Sequence, residues 1–87
     1  MILITREMVQ AKLIGYLNHH VSLNELVDWA ESSLLDGELD QRDAPVLREI
    51  IARLGLADVR QFGLTWEDFS GFLKRLGYMV EVRVIAA

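Results

Sequence analysis

The chain has 87 residues, 52% of them hydrophobic and 25% charged, with a formal net charge of −4 and no cysteine. Such a composition supports one packed domain spanning 1–87 and excludes disorder, disulfide staples and thiolate metal sites. Its acidic balance opposes a polyanionic partner, and no apolar run approaches the roughly 18–20 residues that cross a bilayer.

Met1 to Ile4 is apolar but lacks the basic flank and length of a secretory signal, so a cytoplasmic protein with no membrane partner is expected. Ile2 to Ile4 is also β-prone, and Thr5 after it is a natural helix N-cap. From Thr5 onward Val9, Leu13, Tyr16, Leu17 and His20 share one face of a first helix, with Ile14 well off that stripe. Gly15 inside the helix costs about 1 kcal/mol relative to alanine and permits a close approach by another element. Asn18-His19-His20 is the expected fraying end.

Val21 to Leu35 is the most completely specified stretch. Ser22 and Glu25 have the spacing of a capping box, and Val21 with Leu26 that of a hydrophobic staple. Leu23, Leu26, Val27, Ala30 and Leu34 form the stripe of a second helix, which Gly37 is expected to end in a left-handed conformation. Asp43 is expected to cap a third helix, with Pro45 in its first turn and Leu47, Ile50, Ile51 and Leu54 buried. Gly55 is expected to stop it. Leu56, Val59 and Phe62 then have the spacing of one helical turn laid over the core.

Thr65 and Asp68 form a second capping box, stapled by Leu64 and Phe69. Trp66, Phe69, Phe72, Leu73 and Leu76 are the expected core face of a fourth helix, which Gly77 ends. Lys74 and Arg75 suit the negative end of its dipole. After Gly77 the period changes to two: Tyr78, Val80, Val82 and Val84 alternate with Met79, Glu81, Arg83 and Ile85, as in a half-buried strand. Its nearest partner within the chain is Met1 to Ile4; the alternative is a homodimer paired through Tyr78 to Ala86. The expected fold is therefore mainly α, a compact four-helix domain with a short C-terminal β-strand.

Adjacent His19 and His20 do not make a metal site, because neighbours on a helix point about 100° apart and no carboxylate lies at matching spacing. Asp36, Glu38, Asp40 and Asp43 alternate like calcium ligands. However, an EF-hand loop needs Gly at position 6 and Glu at position 12, where Gln41 and Leu47 stand. These acids read either as helix caps and a solvated turn, or as a patch that docks on a basic partner. Trp29 lies on the flank of the second helix's stripe, where it either roofs a neighbouring helix or anchors a partner.

The serines Ser22, Ser32, Ser33 and Ser70 include no nucleophile elbow, and the single glycines cradle no phosphate. A non-catalytic protein without cofactor or metal is the expectation. A DNA-binding regulator is opposed by Glu67 and Asp68 at the start of the fourth helix and by the long connection from Gly55 to Leu64. A helix-turn-helix has a turn of only about three or four residues. Arg42, Arg48, Arg53 and Arg60 keep that alternative open.

At 22–30 (Ser-Leu-Asn-Glu-Leu-Val-Asp-Trp-Ala) and 64–69 (Leu-Thr-Trp-Glu-Asp-Phe) the chain resembles small acidic bacterial proteins of unassigned function, some with the size and acidity of immunity proteins or antitoxins. The resemblance implies a protein-binding inhibitor and no catalytic residue. On that reading Trp29, Asp36, Glu38, Asp40 and Asp43 meet a basic partner surface. A self-associating structural subunit is the remaining alternative.

Overall fold

A computed structural model of the chain describes residues 2–60, 63–81 and 84–86. Its elements are β1 (Ile2–Ile4), α1 (Arg6–Leu17), α2 (Leu23–Asp36), β2 (Gly37–Leu39), α3 (Ala44–Gly55) and α4 (Trp66–Arg75). The fold is mainly helical, with a small two-stranded parallel sheet. Among the described residues no helix is long and apolar enough to cross a membrane.

Local chemistry starts three of the four helices. Thr5 accepts a hydrogen bond from the backbone N–H of Met8, and both capping boxes form, Ser22 with Glu25 and Thr65 with Asp68. Each satisfies N–H groups that the first helical turn leaves without intrahelical acceptors. At α3 the expectation fails. Asp43 makes no side-chain cap; its carboxylate instead accepts from Arg6, Nε to Oδ2 at 3.2 Å and Nη2 to Oδ1 at 3.4 Å. Arg6 also donates to the carbonyl of Leu76 at 3.4 Å, so one guanidinium joins the starts of α1 and α3 to the end of α4. A charged fork outcompetes the neutral cap as a partner for the carboxylate.

The core lies among α1, α2, α3 and α4. Val9, Leu13, Leu26, Ala30, Leu47, Ile50, Ile51 and Leu54 are completely buried, and Ile4, Phe69, Leu73 and Leu76 nearly so. Burying each large side chain is worth about 1.5–3 kcal/mol. Tyr16 stacks on Phe69 with ring centroids 5.4 Å apart, which holds α1 against α4. Ile14, off the main stripe, is partly buried against the same core, as are Tyr78 and Val80. Trp66 departs from expectation. It is 50% exposed, at the first helical position of α4, although the helical period puts it on the same side as Leu73.

Two helices end in the same hydrogen-bond pattern with different residues. At α1, His20 N–H reaches Gly15 O at 2.8 Å and His19 N–H reaches Tyr16 O at 3.1 Å. At α4, Tyr78 N–H reaches Leu73 O and Gly77 N–H reaches Lys74 O. Both are Schellman motifs, whose turning residue must adopt positive φ. Gly77 does so at 93° without a side-chain penalty, but in α1 the position falls to His19, at 63°. His20 is consequently turned out to solvent and does not join the α1 stripe. The turn brings Val21 back onto Gly15, where an added Cβ would sit 2.8 Å from Val21 Cγ2.

Gly37 does not take the left-handed conformation. At φ −83° and ψ 155° it passes directly from α2 into β2. Glycine is needed here for space, since a Cβ would lie 2.6 Å from the Ser33 carbonyl oxygen and 2.9 Å from Ile4 Cγ1. That clearance lets β2 pair with β1 in parallel register, Ile2 to Gly37, Leu3 to Glu38 and Ile4 to Leu39. Asp40 N–H continues the ladder to Ile4 O at 2.9 Å. The connection between the strands is the whole α1–α2 hairpin, as parallel pairing requires a long crossover.

The partner expected for β1, the C-terminal stretch, is elsewhere. From Gly77, beside Arg6, the chain runs along α1 past Ile14 and Leu17 towards Asn18, away from β1. Residues 78–81 and 84–86 form no strand among the described residues, while Val82 and Arg83 lie outside them. Leu56 to Phe62 also differs from its reading. Ala57 is the buried plug and Leu56 and Val59 are exposed, with Phe62 outside the described residues.

Candidate functional site

Trp29 sits on the flank of α2 because the helical period places it away from Leu26 and Ala30 and towards α1. It is half-buried and packs against the edge of the core. Lys12 on α1 holds its Nζ 5.8 Å from the centre of the Trp29 ring, a cation–π contact across the two helices. Below Trp29 a half-open groove of about 300 Å³ runs between α1, α2 and β1. Ile2, Ile4, Met8 and Trp29 give it apolar walls, and Ser32, Ser33 and Asp36 come from successive turns at the end of α2. Ser33 is the buried polar side chain among the described residues.

The residues expected to share one acidic contact are divided by the fold. Trp29 and Asp36 line this groove. Glu38 lies on the other side of β2, in a separate shallow depression with Leu39, Gln41 and Arg48. Asp40 accepts from the Arg42 backbone N–H at 3.1 Å and pairs with the Arg42 guanidinium at 3.4 Å. That backbone hydrogen bond, followed by the guanidinium contact, holds its carboxyl below the usual carboxylate range. Asp43 is held by Arg6. Among the described residues Asp36 and Glu38 take no ion pair, so two of the four acids keep charge uncommitted to a neighbour.

The sequence marks Ile2 and Ile4 only as a β-prone run, yet they complete the groove that Trp29 and Asp36 begin. Ile2 is 64% exposed, whereas Ile4 is nearly buried and joins the groove to the core. Periodicity in α2 predicts where Trp29 points, but nothing local shows that the N-terminal strand arrives beside it.

The two histidines border a shallow, open depression with Tyr16, Val21 and Glu25. Among the described residues no three histidine or acidic side chains cluster as metal ligands would. Of the four arginines considered for nucleic acid, Arg42 pairs with Asp40 and Arg53 with Asp68. Comparison with protein-family models, curated proteins and solved structures found no match.

Proposed function

We propose that the protein is a non-catalytic protein-binding module whose docking surface is the groove between β1, α1 and α2. The supporting observation is the convergence of half-buried Trp29, exposed Ile2 and an Asp36 carboxylate with no ion pair among the described residues on one half-open apolar surface. Binding energy at protein interfaces concentrates in aromatic anchors beside desolvated pockets. A carboxylate at the rim, on a chain of net charge −4, selects a partner that places a basic group beside an apolar one. An immunity- or antitoxin-like inhibitor that covers a basic site on its target is the form of this function closest to the sequence resemblance.

The test is capture of partners from cells that make the protein, with the affinity of any captured protein then measured for variants. Trp29→Ala and Ile2→Asp are each expected to weaken binding roughly thirty-fold, the effect of about 2 kcal/mol. Trp66→Ala, in a different groove with Met79 and Val80, is the control and should bind as the parent does. Equal affinity for all three variants would remove the groove from the interface.

A further inference from the structure

We infer that the groove takes an extended peptide segment, which adds a third strand to the open edge of β1 and sets apolar and basic side chains towards Trp29 and Asp36. This rests on the groove being the docking surface and goes further by fixing the shape and chemistry of what docks.

The backbone of β1 supplies the first reason. Successive residues of a strand direct their N–H and C=O groups to opposite edges. Ile4 O accepts from Asp40 N–H on the β2 side, so the N–H and C=O of Leu3 face away from β2. Among the described residues no other strand joins this sheet, and Leu3 is half exposed. An unpaired strand edge is a template for a further strand, whose main chain gives affinity while alternate side chains enter pockets.

Charge gives the second reason. Asp36 stands on the groove without an ion pair among the described residues. The apolar walls of Ile2, Ile4, Met8 and Trp29 accept an aliphatic side chain. A segment that carries aliphatic and basic residues two apart, so that both point to the same face, satisfies the edge, the wall and the carboxylate together. Residues 78–81 of the chain itself are not positioned to do this, since they lie along α1 beside Ile14, Leu17 and Asn18.

A Trp66→Phe variant leaves Trp29 as the sole tryptophan reporter. The probe is a capped heptapeptide Ser-Val-Ser-Lys-Ser-Val-Ser, which sets valine and lysine on one face, with a glutamate-for-lysine version as comparison. Saturable change in Trp29 emission is expected with the lysine peptide, at least ten-fold weaker with the glutamate peptide. Asp36→Asn should remove most of that discrimination. Two further lysine peptides, N-methylated either on the valines and the lysine or on every serine, test the strand itself. Because N–H groups alternate between edges, one methylated peptide should lose binding at least ten-fold and the other retain it.

Equal binding of the two methylated peptides would overturn strand addition, while a captured partner that still depends on Trp29 would leave the groove as the docking surface. No emission change up to millimolar lysine peptide would overturn the inference. So would a concentration-dependent dimer of the protein alone, measured by sedimentation and abolished by Ile2→Asp, because the edge would then belong to a second copy.

Discussion

Replacing Gly37 with alanine separates two physical effects that usually travel together. Gly37 has φ −83° and ψ 155°, which alanine adopts without strain. On torsion alone the change would stabilise by about 0.4–1 kcal/mol, by restricting the unfolded chain. Sterics oppose this, because the new Cβ would lie 2.6 Å from the Ser33 carbonyl oxygen and 2.9 Å from Ile4 Cγ1. The first obstacle is helix backbone and cannot rotate away. Relief requires β2 to move off α2, carrying β1 and its nearly buried Ile4 with it. Overpacking of this kind costs about 1–3 kcal/mol, and partial exposure of Ile4 adds part of the roughly 1.5–3 kcal/mol that its burial is worth. The net expectation for Gly37→Ala is a loss of about 1–3 kcal/mol, read as a lower urea midpoint at unchanged slope. Gly71→Ala, within α4 and with nothing within 4 Å of the added Cβ, should instead gain about 0.5–1 kcal/mol. A Gly37→Ala variant as stable as the parent, with Gly71→Ala behaving as expected, would refute the packing of α2 onto the sheet.

His19→Gly should raise stability by about 1 kcal/mol, since His19 turns the α1 Schellman motif at φ 63°. An unchanged or lower unfolding midpoint would show that His19 is not held there. The capping box of α4 gives a pH signature. Asp68 is held below the usual carboxylate range, chiefly by the Thr65 backbone N–H and also by the Thr65 hydroxyl side and Arg53. Its folded pKa is depressed, so its contribution is fully present above the unfolded value of about 3.9 and is lost as pH falls through the folded one. Asp68→Asn should therefore lower stability at neutral pH and flatten its decline below about pH 4. An identical acid limb in the two proteins, followed by urea unfolding at several pH values, would contradict this.

Three of the four caps, most of the stripes and the stop at Gly77 were legible because each is decided within one or two helical turns. Ser22 with Glu25, Thr65 with Asp68, and the buried rows Leu26–Ala30 and Leu47–Leu54 follow from spacing alone. The left-handed stop at Gly77 follows in the same way. Trp29 was legible as a flank residue for the same reason, and Asp36 as an acid at the end of α2.

What tertiary structure decided is every choice between partners distant in sequence. Asp43 is a good cap by local rules, but Arg6, folded against it, offers a charge-assisted fork. Gly37 is a plausible left-handed stop by local rules, but β1 lies alongside and an extended conformation completes a strand pair. The two-residue alternation after Gly77 is a real strand pattern, yet a strand forms only where another edge is within reach. Here the exit direction from α4 carries it the wrong way. Helices satisfy their backbones internally, so sequence places them; strands, ion pairs and grooves need two surfaces to meet, so only the folded chain places those.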